Sequence, residues 1–130
     1  MKGQNTKNVV LIADDDMFIR QVIRGAIGDL AIVVETKEGV EVPELYRKHT
    51  PDVVFLDVHM PGVSGLDLIK NLQKIDVGAH IIMMSSDSST ENVRYAKFNG
   101  VRGFLTKPFE KSRVLHYFNA CPTIKFMDAE

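Results

Sequence analysis

Short apolar runs of five or six residues alternate along this chain with longer segments of helical period. Asn8–Ala13 (NVVLIA) is β-branched and almost wholly apolar, as a strand covered on both faces should be. The period then changes. Phe18, Ile19, Val22, Ile23, Ala26 and Ile27 recur at helical spacing, and Asp16 stands where an N-cap is needed. Ala31–Glu35 predicts a second strand, and Val40–Lys48 a helix with Pro43 in or just before its first turn. Asp52–Leu56 (DVVFL) is a third apolar run. Met60–Gly65 has loop chemistry. Ser64 is placed to cap a third helix built on Leu66, Leu68, Ile69 and Leu72, with Asp67 three residues on. His80–Met84 predicts a fourth strand. Ser88-Ser89-Thr90-Glu91 reads as a capping box for a helix that runs to Phe98 and stops at Asn99-Gly100. Val101–Leu105 and Glu110–Asn119 supply the last strand and helix, and Pro122 ends the pattern.

A strand followed by a helix, five times over, is an α/β chain with a parallel sheet and helices on both faces. Right-handed crossovers leave few topologies, although periodicity alone does not choose the strand order. No repeat, low-complexity segment or linker interrupts the pattern. The reading is a short extension at 1–7, one domain at 8–120 and a tail at 121–130.

Composition narrows the class. With 130 residues, 45% apolar and 25% charged, the chain can bury a core and is not of disordered type. The formal net charge of −1 lacks the basic excess of a dedicated nucleic-acid binder. No apolar run approaches the ~18 residues of a membrane span. Cys121 is the single cysteine and has no internal partner. The start is polar, without a signal-peptide core, so the expected location is cytoplasmic.

Ligands of open parallel sheets sit beyond the carboxyl ends of the strands. The residues that follow each strand are therefore the informative ones. They are Asp14, Asp15 and Asp16 after the first, Asp57 after the third, Ser85 and Ser86 after the fourth, and Thr106, Lys107 and Pro108 after the fifth. Asp16 is better taken as a helix cap than as a ligand. Three neighbouring carboxylates repel one another, and a hard cation such as Mg²⁺ relieves that. Lysine adds a second positive charge and a hydroxyl adds a donor. Such a set suits a phosphoryl group, with one carboxylate as nucleophile. Each piece alone has a plainer reading as a cap, a turn or a loop residue; the weight lies in their joint placement.

LIADDD (Leu11–Asp16), VVFLDVHMPGVSG (Val53–Gly65), IIMMSS (Ile81–Ser86) and GFLTKPF (Gly103–Phe109) together resemble the response regulator receiver domain, the CheY-like module of two-component signalling. The spacings agree, with 42 residues from Asp15 to Asp57 and 50 from Asp57 to Lys107. The resemblance spans about Asn8 to Asn119. It implies a flavodoxin-like (βα)5 fold, doubly wound, with strand order 2-1-3-4-5. It implies that Asp57 is the phospho-acceptor. Asp15 would be a direct Mg²⁺ ligand, Asp14 an indirect one, and the His59 backbone carbonyl would complete the protein ligands. Ser85 would be the switch hydroxyl, Lys107 the partner of the phosphoryl group, and Phe104 the switch aromatic. The Lys107-Pro108 bond is expected to be cis. The side chains of His59 and Asp87 are expected at the mouth of the site. There they would tune water access to the phosphoryl group, or His59 would simply be a solvated loop residue.

The implied donor is a histidine kinase or histidine phosphotransfer protein, and the domain would catalyse its own aspartyl phosphorylation and dephosphorylation without being a turnover enzyme. Its fourth helix, fifth strand and fifth helix would then address an effector protein or a tethered output domain, with Arg94, Tyr95, Lys97, Phe98 and Arg113 as candidates. The chain would be a monomer or a phosphorylation-linked dimer, and either a stand-alone receiver or part of a longer regulator. Three other readings compete. An aspartate-nucleophile phosphatase would favour an acid where His59 stands. A flavodoxin-like cofactor binder would want a Ser/Thr/Gly-rich loop where the three acids stand. A degenerate receiver serving only as a scaffold would not need Asp15, Asp57, Ser85 and Lys107 together.

Overall fold

A computed structural model describes residues 7–125. The strands are β1 (Val9–Ala13), β2 (Ile32–Thr36), β3 (Val53–Asp57), β4 (Ile81–Ser85) and β5 (Gly103–Thr106). The helices between and after them are α1 (Met17–Ile27), α2 (Val42–His49), α3 (Gly65–Ile75), α4 (Thr90–Phe98) and α5 (Lys111–Asn119). All strand pairs are parallel, in the order β2-β1-β3-β4-β5. This is the doubly wound order that the family resemblance implies.

Side-chain alternation along the strands builds two cores. On one face Val10, Ile12, Val53, Phe55, Ile82 and Met84 pack with Ile19, Ile23 and Ile27 of α1 and Val114 and Phe118 of α5. On the other, Leu11, Ala13, Val54, Leu56, Ile81 and Met83 pack with Val42 and Tyr46 of α2, Leu68, Ile69 and Leu72 of α3, and Ala96 of α4. The central strands are buried on both faces, which is why they read as unbroken apolar runs. Each fully buried large side chain contributes about 1.5–3 kcal/mol. Among the described residues no helix is long and apolar enough to cross a membrane.

The caps follow the residues. Asp16 accepts from the Phe18 amide at 2.9 Å and Ser64 from the Asp67 amide at 3.3 Å. Three expectations need correction. The box at Ser88 is displaced by one residue: Ser89 is the N-cap of α4 and accepts from the Asn92 amide at 3.2 Å. Val101 and Arg102 are not in β5. The Val101 amide instead closes α4 by donating to the Ala96 carbonyl at 3.1 Å. The described part of the tail, 121–125, is packed into the domain. Cys121 and Ile124 join the α1/α5-side core. Thr123 Oγ1 donates to Asp52 Oδ1 at 2.6 Å, and Asn8 and Lys125 exchange two hydrogen bonds of 2.7 Å. Of the extension at 1–7, all but Lys7 lies outside the described residues, as do residues 126–130 of the tail.

Candidate functional site

The carboxyl ends of β1, β3, β4 and β5 meet at one edge of the sheet. The third and fourth strands run one residue further than hydropathy suggests. Asp57 pairs in the ladder with Met84, and Ser85 with Thr106. Both polar residues are thus fixed by strand backbone rather than held on a loop. The turn after β3 folds back tightly over the site. A Cβ on Gly65 would lie 2.4 Å from Val58 Cα, so only glycine permits the approach.

Asp14 is fully buried, Asp57 is nearly so, and Asp15 is exposed at the mouth. One carboxylate oxygen from each lies within 4.8 Å of the others. Lys107 reaches into the group, its Nζ 2.8 Å from Asp14 Oδ2 and 3.2 Å from Asp57 Oδ2. The remaining oxygens are held by backbone: Asp14 Oδ1 accepts from the Asp16 amide at 2.8 Å, and Asp57 Oδ1 from the His59 amide at 2.9 Å. The Lys107-Pro108 peptide is cis.

One ammonium among three carboxylates leaves negative charge in excess. Burial pushes the Asp14 carboxyl above its ordinary value and the Asp57 charge adds to this, against the hydrogen bonds from Lys107 and the Asp16 amide. For Lys107 burial works the other way, but the bond to Asp14 and the charges of Asp14 and Asp57 outweigh it and hold the ammonium protonated. Asp14 Oδ2 is buried and, apart from the Lys107 ion contact, has no aligned hydrogen bond among the described residues. An all-oxygen donor set with surplus negative charge fits a hard divalent cation.

Residues 10–119 match the response regulator receiver domain family. This chain belongs to that family. The chemotaxis protein CheY of Halobacterium salinarum is 36% identical over 107 residues, 82% of this chain and 89% of that protein. CheY of Thermotoga maritima is 38% identical over 112 residues, covering 85% and 93%. Chemotaxis protein CheY4 of Vibrio cholerae has a structure that aligns with a TM-score of 0.80 at 27% identity, covering 88% of this chain and 98% of its own. Receiver domains are phosphorylation-dependent signalling switches of two-component systems and not metabolic enzymes.

In this receiver domain Asp14, Asp15, Asp57 and Lys107 come together, and Ser85 ends the strand beside Asp57, bonded to His59 and Asp87. Ser85 Oγ is fully buried, accepts from the Asp87 amide at 2.9 Å and lies 3.1 Å from His59 Nε2. The Asp87 carboxylate turns toward the start of α4 and accepts from the Ser89 amide at 3.0 Å. Phe104 is half-buried against the α2/α3/α4-side core, opposite Met83 in the ladder.

Two contacts lie beyond the sequence reading. The first is that of the His59 ring, expected at the mouth of the site, with Ser85 across 26 positions. The second is that of Arg20, whose guanidinium donates to the Asp14 carbonyl at 2.7 Å while Glu35 of β2 holds it at 3.0 Å. The available signal was the Arg20/Arg24 pair one helical turn apart, facing an acid at the end of the neighbouring strand.

Proposed function

We propose that Asp57 accepts a phosphoryl group from a phosphohistidine of a histidine kinase or phosphotransfer protein, and that the resulting charge drives the switch. The observation that carries this reading is Lys107 bridging Asp14 and Asp57 at the carboxyl edge of the sheet, beside the exposed Asp15. Asp57 is held at a strand end with one oxygen on a backbone amide, so nucleophile and ammonium are positioned before a donor arrives.

Asp14, Asp15, Asp57 and the His59 backbone carbonyl would hold Mg²⁺. Bound there, the ion would offset carboxylate repulsion and share the charge of the phosphoryl oxygens. An Asp57 oxygen forms the bond to phosphorus as the donor's phosphorus–nitrogen bond breaks, and the imidazole leaves with the electron pair. Lys107 follows the charge from the carboxylates to a phosphoryl oxygen, and the Ser85 hydroxyl supplies a further donor. Drawing Ser85 inward opens space beside Met83 that Phe104 can enter. That two-state element is biased by a local charge. Attack of water on phosphorus breaks its bond to the Asp57 oxygen, releases inorganic phosphate and restores the carboxylate. The domain thus catalyses its own modification and reset.

The α4-β5-α5 face reports the change to an effector protein or a tethered output domain. Lys97 of α4 lines a cleft there with Phe104 and Tyr117, and Phe98, 89% exposed, ends the same helix. A cytoplasmic setting and a monomer or a phosphorylation-linked dimer complete the reading. The test is incubation with Mg²⁺ and acetyl phosphate, read by intact mass. The expected result is one added phosphoryl group, absent in Asp57→Asn and reduced in Lys107→Ala. Equal gain in Asp57→Asn would reject Asp57 as acceptor.

A further inference from the structure

Ser85 Oγ offers one proton and two lone pairs. The Asp87 amide occupies one lone pair at 2.9 Å. His59 Nε2, at 3.1 Å, takes either the hydroxyl proton or the second lone pair. With the ring proton on Nδ1, the proton of Ser85 is committed to His59. A phosphoryl oxygen on Asp57 requires that same proton. In that tautomer both demands cannot be met at once.

We propose that the His59 side chain is a positioning residue: it holds the Ser85 hydroxyl in the unmodified protein and competes with the Asp57 phosphoryl group for it. This rests on Asp57 being the acceptor. Three observations place the competitor well. His59 is two residues past Asp57, and its amide already binds Asp57 Oδ1 at 2.9 Å, so acceptor and competitor share one turn. The ring is exposed while Ser85 beneath it is fully buried, so His59 stands between the hydroxyl and solvent. The ring also has room to leave. It lines a cavity of about 220 Å³ with Val58, Leu66, Met83, Asn92 and Tyr95, directed toward α4. Release of Ser85 and relocation of His59 are then one event, felt at the helix that lines the cavity.

A single hydrogen bond of this kind shifts an equilibrium by about fivefold. His59→Ala and His59→Leu should therefore each speed phosphoryl uptake from acetyl phosphate about fivefold. Leucine keeps the bulk over Ser85 without the bond, so it separates hydrogen bonding from mere shielding. In a Ser85→Ala background both His59 substitutions should change uptake by less than about twofold, because their target is gone. The second readout is the ¹⁵N resonance of His59 Nε2. Ser85→Ala should move it in the unmodified protein, and beryllium fluoride with Mg²⁺ should move it the same way. Equal effects of His59→Leu with and without Ser85, or no effect, would overturn the proposal while leaving Asp57 as acceptor. A wild-type chain that takes up no phosphoryl group and shows no resonance change with beryllium fluoride would overturn both.

Discussion

Replacing Asp14 by asparagine should stabilise the ion-free domain and weaken its response to Mg²⁺. The carboxylate is fully buried, its oxygen lies within 4.8 Å of one on Asp57, and its compensating cation is 2.8 Å away. At an effective dielectric near 20, repulsion from Asp57 is at least about 3.5 kcal/mol and attraction to Lys107 about 6 kcal/mol. Removing the carboxylate from water costs several kcal/mol more. Burial heads the balance, and the carboxyl is raised above its ordinary 3.8. The folded state therefore binds this proton more tightly than the unfolded state. Stability falls as pH climbs from 3.8 toward the raised folded value. Asparagine keeps the shape and can still accept from the Asp16 amide. The expected gain is about 1 kcal/mol, or roughly 3–4 °C in Tm for a domain of this size. Wild type should gain about 1.4 kcal/mol from Mg²⁺ at ten times its dissociation constant, and Asp14→Asn clearly less at the same concentration. Urea unfolding at neutral pH with and without MgCl₂ measures both. A variant less stable than wild type without the ion, or one with an unchanged Mg²⁺ gain, would refute the charge balance.

Three further outcomes follow from other parts of the fold. Burial, with Arg102 nearby, pulls His80 below 6.5, so the folded state resists its protonation. Stability should drop as pH falls below 6.5 and level off beneath the folded value. His80→Leu should flatten that part of the profile, seen in urea midpoints at about pH 7.5 and about pH 5. Ser89→Ala should cost about 1 kcal/mol through loss of the α4 cap, while Ser88→Ala stays within about 0.5 kcal/mol. Thermal melts distinguish the two. A Cβ on Gly103 would sit 2.4 Å from the Tyr117 ring, so Gly103→Ala should cost about 1–3 kcal/mol. Adding Tyr117→Leu should recover most of it in denaturant unfolding.

The apolar runs of β1, β3 and β4 were legible because double burial removes polar alternation, and the helices because their caps and periods agree. Strand ends were less legible. Asp57 and Ser85 look like loop residues by hydropathy, yet each pairs in the ladder and owes its rigidity to it. Residues 121–125 read as a tail because Pro122 and short polar residues surround Cys121 and Ile124. What fixes them is distant in sequence, Asp52 bonded to Thr123 and Asn8 bonded to Lys125 across 117 positions, and no local pattern encodes such a distance. In the site, the residues that carry charge were named from type and position after each strand. The contacts that orient them are not legible in this way. Arg20 acts on a backbone carbonyl, and the His59 ring, expected only at the mouth, lies on Ser85. Contacts of this kind depend on side-chain direction at sheet ends, which sequence spacing does not specify.

The central claim is that phosphorus becomes bonded to Asp57 and to no other residue. Borohydride reduces an acyl phosphate to the alcohol, which leaves homoserine at the modified position. The direct measurement is reduction after exposure to Mg²⁺ and acetyl phosphate, followed by peptide mass mapping. Homoserine at position 57 alone, dependent on Mg²⁺ and slowed by Lys107→Ala, is the predicted result. Homoserine at position 14 or 15, or an unmodified chain under every donor, would contradict the account.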